Sequence, residues 1–356
     1  MAPDHSVSYS LKLQSRALAA VQAEKNASQW VVGTNSLREE NEVHVLEYDH
    51  DQERIACTRS LLHKPEVWDI ATSCQQSDVL ITVWGEAGNY GASLWRIPQT
   101  DGPLEKLADL PGHQTNSAIR RALWHPQQPE LAITIEDGML HRWAISDQGA
   151  QLVGQAPAGE LLQLWSGALQ PQQDQICATA GGNGFQLWDL RSMACTGEQV
   201  AAHKMPVRDV SFCPSSSHRL VSGGDDCKLR LWDLRMLGSH GPLLELGGHS
   251  HWVWRAQVSP MHDQLIASSS SDCLVNLFHT PEIAKDNAKD TLEQPSSRAH
   301  DLEHPDGKVH TYDEHEDSVY GLCWSAVDPW LFATLSYDGR LVLNSVPKNV
   351  KYKILV

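Results

Sequence analysis

Apolar and polar residues alternate along most of this chain in short runs, and Gly, Asp, Asn or Pro punctuate the gaps between them. A two-residue period predicts strands with one covered face, and so an antiparallel all-β architecture. Several runs close on a Trp: SLWRIP at Trp95, MLHRWAI at Trp143, FQLWDLR at Trp188 and LRLWDLR at Trp232. The intervals are 48, 45 and 44 residues; Phe278 in LVNLFHT lies 46 further on, and Asn344 in LVLNSVP another 66. A repeat in the mid-forties predicts four strands per unit, stacked radially as the blades of a propeller. The long last interval holds PEIAKDNAKDTLEQPSSRAHDLEHPDGKVH, polar and charged without strand periodicity. It reads as a solvated loop inserted at about 281–311.

A second regularity is stricter. His203, Asp226 and Trp232 stand at relative positions 0, 23 and 29; His249, Asp272 and Phe278 repeat those offsets, as do His315, Asp338 and Asn344. Four residues before each Asp stands a hydroxyl, Ser222, Ser268 or Thr334. In a WD blade these side chains form a buried hydrogen-bond chain from indole to hydroxyl to His to Asp, strong when complete and costly when one member is missing. With Phe278 and Asn344 at the indole position, the expectation is that only the blade around Trp232 completes it. Ser, His and Asp could also suggest a nucleophilic triad. Three recurrences at identical offsets point to scaffold instead.

Counting outward from these anchors gives seven blades in one WD40 β-propeller spanning 1–356. The first is read as YSLKLQ, WVVGT, EVHVLEY and RIACTRSLL, the next runs from VWDIATS to LEKLADL, and the third from AIRRALW through LAITIEDGMLHRWAI. The fourth runs from LLQLWSGALQP to FQLWDLR, and the rest begin at VRDVSF, VWRAQV and VYGLCW. Radial repetition leaves only short, protected edges. VKYKILV at the C-terminus reads as the outer strand of blade 7, so ring closure is expected to rest on packing between blades 1 and 7.

The loops leading into each inner strand form the face where such a ring binds. Three and five residues after each repeat His, alternation points two side chains there. The fifth places are Trp68, Arg208, Trp254 and Tyr320, and the apolar pattern of the less regular blades adds Arg120 and Trp165. Trp252, at a third place, and Tyr337, just before Asp338, fall on the same rim. A Trp there can instead tuck between blades as core, but a set facing one way favours a partner surface, because Trp, Tyr and Arg dominate interface hot spots. Trp252-Val253-Trp254 is the sharpest local signal, both indoles outward and Val253 inward.

Composition narrows the function classes. Against 28 basic residues stand 44 acidic ones, a formal net charge of -16, which argues against nucleic-acid backbones and anionic membranes as partners. No stretch reaches 18 apolar residues, so direct membrane insertion is not expected. The start, MAPDHSVSYSLKLQ, lacks the pattern of a secretory signal. Eight Cys with no CxxC pair fit reduced thiols in the cytoplasm, with no cofactor and no metal. Of the 13 Trp, Trp124 and Trp324 read as inner-strand core, while Trp30, Trp84 and Trp330 read only as packing.

Three other motifs carry less. His300, His304 and His310 cluster in the charged loop without Cys. GGNG at 181–184 is followed by no helix, which rules out a phosphate-cradling loop. WDLR occurs twice, ending at Arg191 and Arg235, and a WDxR box can dock the adaptor of a cullin-RING ubiquitin ligase. It is also a frequent strand ending whose Arg pairs with acidic neighbours.

GGDDCKLRLWDLR, EHEDSVYGLCWSAVDPWLFATLSYDGRLVLNSVP and KYKILV, with HSHWVW and HDQL, resemble the EARP and GARP complex-interacting protein family. QSRALA, VGTNSL, VHVLEYD, LLH and LWRIP follow in matching order, so the resemblance covers nearly the whole chain. It implies a seven-bladed, non-enzymatic, monomeric propeller of the cytoplasm that associates with tethering complexes of endosomes and the trans-Golgi network. Endosomal recycling and retrograde transport are the processes implied. The charged insertion is more mixed in sign than the family's acidic loop, and Gly182 replaces the turn Asp in blade 4.

Overall fold

The computed structural model describes residues 7–355 apart from 100–101, 114–116, 148, 160, 162, 239 and 282–306. Among these residues the strands form seven four-stranded antiparallel sheets, a seven-bladed β-propeller. The inner strands are β2 (Ser15–Ala20), β6 (Glu66–Thr72), β10 (Ile119–Trp124), β14 (Leu164–Leu169), β18 (Val207–Phe212), β22 (Val253–Val258) and β26 (Val319–Trp324). Six of the sheets use four consecutive strands each. Buried apolar side chains fall into seven clusters, one at each junction between neighbouring blades. Each blade therefore finds its core against the next.

Closure differs from the sequence expectation. VKYKILV is no strand: Lys348–Leu355 form the helix α1. Pro347 ends the ladder of β28 (Arg340–Ser345), having no N–H to continue it, and its carbonyl accepts from the N–H groups of Val350 and Lys351. Val346, Val350 and Ile354, spaced by four, then pack against blades 6 and 7. The outer strand of blade 7 is instead β1 (Val7–Ser10), which pairs Val7 with Leu343 and Ser10 with Arg340. YSLKLQ is thus not the inner strand of blade 1; β2 takes that place. Leu11, Leu18 and Trp30 join Leu341 and Leu343 in the closing cluster, so pairing and packing both lock the ring.

The repeated hydrogen-bond chain is more widely filled than the side-chain types suggest. In blade 5, Trp232 Nε1 donates to Ser222 at 2.8 Å, Ser222 meets His203 Nε2 at 2.7 Å, and His203 Nδ1 meets Asp226 at 2.8 Å. Blade 6 stops at Phe278, leaving His249 between Ser268 (2.7 Å) and Asp272 (3.0 Å). Blade 7 corrects the expectation: Asn344 Nδ2 donates to Thr334 at 2.8 Å and stands in for the indole. There His315 meets Thr334 at 2.8 Å, and Ser336 bridges His315 to Asp338. Blade 2 links Trp95, Thr82 and His63 in the same way, but there His63 Nδ1 meets the Pro65 carbonyl in place of an Asp.

Two directions of titration make this scaffold acid-sensitive. Burial would raise Asp272, but the hydrogen bond and charge of His249, with the N–H groups of Ser250 and Leu274, hold it down to about 2. Burial lowers His315 to about 4. Between the ordinary His value near 6.5 and about 4, the unfolded chain binds a proton at His315 that the folded chain refuses, so stability falls as pH falls. Below the ordinary Asp value near 3.9, protonation of Asp272 removes the rest of its contribution, down to about 2. The melting temperature is expected to fall steadily from pH 6.5 to 4, with a shallower slope in His315→Gln. A profile flat to pH 4 would contradict this.

The charged insertion is also shorter than read: Lys308–Tyr312 form β25, the outer strand of blade 6. His310 lies in that strand, its ring against Tyr312, while His300 and His304 fall outside the described residues. The unassigned indoles are packing. Trp30 is fully buried, Trp84 donates to Ser93 at 2.9 Å, and Trp330 stacks on His262.

Candidate partner-binding face

Every inner strand begins with the same irregularity. The ladder slips by one residue at Arg16, Trp68, Arg120, Trp165, Arg208, Trp254 and Tyr320, each flanked by paired neighbours. Such a bulge re-aims one side chain, here toward the mouth of the central channel, where all seven wall a depression of about 280 Å³. Six of these are the slots read from the sequence; Arg16 in blade 1 completes the set.

Around the ring the order is Arg, Trp, Arg, Trp, Arg, Trp, Tyr, and the cations stack on their neighbours. Arg16 lies 4.9 Å from the Trp68 ring and 4.4 Å from Tyr320. Arg120 and Arg208 flank Trp165 at 4.9 and 4.4 Å, and Arg208 reaches Trp254 at 5.1 Å. Each such contact contributes about 0.5–2 kcal/mol according to its exposure, and together they hold long side chains in place before anything binds. Trp254 also donates to Ser271 at 2.6 Å and meets Tyr320 ring to ring at 4.7 Å.

Trp252 and Tyr337 stand outside the depression. Trp252 is 40% exposed and packs edge-on to Trp254, while Val253 between them is fully buried. Tyr337 lies against Tyr320, with its hydroxyl toward Gln14. Trp254 is therefore a wall of the depression, and Trp252 is the indole on its lip.

Beneath the mouth, the next residue of five inner strands, Asp69, Arg121, Ser166, Asp209 and Arg255, closes the channel. Asp209 accepts from Arg121 at 3.0 Å, from Ser166 at 2.6 Å and from the Ala256 N–H at 3.1 Å. Asp69 accepts from the Ala122 N–H at 3.0 Å, and Arg255 lies 3.7 Å from both carboxylates. Burial works against the Arg121 cation, but Asp209 and Asp69 more than offset it and raise its pKa above the ordinary Arg value. A second cavity of about 320 Å³ opens beyond this quartet on the opposite face, sharing Arg121 and Arg255. Among the described residues no group of three or more His, Cys, Asp or Glu is arranged to hold a metal ion.

The sequence reading missed Arg16 and this quartet. Blade 1 has no repeat His ahead of its inner strand, so counting from His skips it; laying SRALAA over VRDVSF finds it. The quartet follows by moving one residue along each strand.

The EIPR1 beta-propeller family model matches residues 4–278, and that of the WD domain, G-beta repeat matches 307–343. The chain belongs to the EIPR1 beta-propeller family. It is 34% identical to EARP and GARP complex-interacting protein 1 of Homo sapiens, with all of both chains covered. It is also 34% identical to WD repeat-containing protein DWA2 of Arabidopsis thaliana over 96% of each chain. With EARP-interacting protein 1 of Caenorhabditis elegans it shares 27% over 98% of each. Among the described residues no helix is long and apolar enough to cross a membrane.

Proposed function

We propose that this chain is a non-enzymatic adaptor that binds an EARP- or GARP-type vesicle-tethering complex through the Arg/aromatic mouth of its channel. The observation that carries this reading is end-to-end similarity to relatives named for interaction with those complexes, in a chain whose rim gathers the residue types of interface hot spots. The adaptor acts in the cytoplasm, peripherally associated with the trans-Golgi network and endosomes, in endosomal recycling and endosome-to-Golgi retrograde transport. It needs no catalysis: the repeated Ser, His and Asp belong to the scaffold, and the channel aspartates face arginines.

Affinity capture on the tagged chain from cells that express it is expected to bring down tethering subunits. The competing reading places the WDLR boxes on a cullin-RING ligase adaptor. Arg235 is paired with Asp233 at 2.6 Å within its own box, as a strand ending would have it, and Arg191 follows the corresponding β16 (Gly184–Asp189). Recovery of the ligase adaptor instead, lost in the Arg191→Ala/Arg235→Ala variant, would overturn the proposal.

A further inference from the structure

The mouth of the channel has an unbalanced charge with a local cause. Five arginines line the depression and no acidic residue does, in a chain of net charge -16. Four of the five have carboxylates nearby. Arg120 holds Asp137 through two hydrogen bonds of 2.9 Å, and Arg208 holds Asp225 at 2.8 and 2.6 Å. Arg121 and Arg255 share Asp69 and Asp209. Five Arg against four Asp leaves one positive charge, and it sits on Arg16, which among the described residues makes ring contacts but no ion pair.

The missing carboxylate can be traced to one position. Asp137 and Asp225 each follow the second strand of their blade and donate their N–H back to the carbonyl of Ala118 or Pro206. In blade 1 the residue making that bond, to Gln14, is Asn35. Its Oδ1 is buried and, among the described residues, has no hydrogen-bond partner. Where blades 3 and 5 neutralise their rim arginine, blade 1 carries a neutral amide.

We propose that the depression takes the carboxylate of one Asp or Glu from an acidic peptide segment of a protein partner, paired with Arg16 and walled by Trp68, Trp254 and Tyr320. This inference rests on the reading of this face as the partner surface. The volume, about 280 Å³, suits a side chain better than a cofactor, since small-molecule pockets run from about 300 to 1,000 Å³. A carboxylate matches one residual charge, whereas a phosphate brings about -1.5 to -2 and overfills it. Burial pushes the pKa of Arg16 down, a cost that an incoming carboxylate offsets. The cation is already held between two rings, so little freedom is lost on pairing.

The probe is a random 12-residue peptide library displayed on phage and panned on the wild-type chain. Enriched peptides are expected to share an invariant Asp or Glu. A synthetic copy is expected to lose about tenfold or more in affinity on Arg16→Gln, the range for a charge-assisted pair. Asn35→Asp, which supplies blade 1 with its own carboxylate, is expected to weaken the peptide as Arg16→Gln does, with the melting temperature of each variant checked against wild type. No enrichment, enrichment without an invariant acid, equal binding to Arg16→Gln, or tighter binding when phosphoserine replaces the acid would each overturn the inference. Tethering-complex capture separates the two levels. If Arg16→Gln captures normally while Trp252→Ala/Trp254→Ala does not, the carboxylate site fails and the adaptor reading stands. If acidic peptides bind but no tethering subunit is captured, the adaptor reading fails.

Discussion

Asp209→Ala is expected to destabilise the fold by about 3–5 kcal/mol, the range for removing one partner of a buried ion pair. The carboxylate is 1% exposed on blade 5, and it accepts from Arg121 on blade 3, Ser166 on blade 4 and the Ala256 N–H on blade 6. Its loss leaves Arg121 and Arg255 sharing Asp69 alone, and leaves a buried N–H without its acceptor. Arg255 also donates to the Tyr320 carbonyl, so the disturbance extends to blade 7. Urea unfolding followed by circular dichroism measures the loss. The double variant Asp209→Ala/Arg121→Met is expected to recover part of it, because removing both charges leaves less uncompensated than removing one. A loss below about 1 kcal/mol for Asp209→Ala would show that the quartet is open to water and the channel not closed there.

Trp252→Ala/Trp254→Ala is expected to reduce affinity for the tethering complex by well over a hundredfold, each truncation of a hot-spot Trp costing about 2 kcal/mol or more. The two indoles contribute differently. Trp252 offers exposed apolar surface on the lip, and its removal changes little in the free chain. Trp254 carries the Arg208 guanidinium, the Tyr320 ring and a hydrogen bond to Ser271, so its loss also loosens the wall. Trp252→Ala alone is therefore expected to weaken binding with the melting temperature unchanged, while Trp254→Ala weakens binding and also lowers the melting temperature slightly.

Much of this architecture is legible in the residues themselves. Trp95, Trp143, Trp188 and Trp232 mark the strand ends that set the blade period, and the offsets from His203, His249 and His315 fix the last three inner strands. The fifth place after a repeat His points to Trp68, Arg208, Trp254 and Tyr320, and the apolar pattern of the less regular blades adds Arg120 and Trp165, six of the seven rim slots. What stays hidden is nonlocal. VSYS carries no repeat mark, and only the free edge of blade 7, more than three hundred residues away, makes it a strand. VKYKILV alternates like a strand, yet Pro347 before it and the four-residue spacing of Val346, Val350 and Ile354 select a helix. Asn344 reads as a broken network by residue type, but its amide supplies the same N–H as an indole. Asp69, Arg121, Asp209 and Arg255 read as scattered charges until the ring brings four different blades to one axis.

The Arg/aromatic mouth is the surface proposed to hold the partner. The most direct measurement is quantitative capture of the tethering complex by wild type, Trp252→Ala/Trp254→Ala and Arg191→Ala/Arg235→Ala, each first shown by circular dichroism to keep its strand content. Loss of capture in the Trp variant alone is the expected result. Undiminished capture by a folded Trp variant would contradict it.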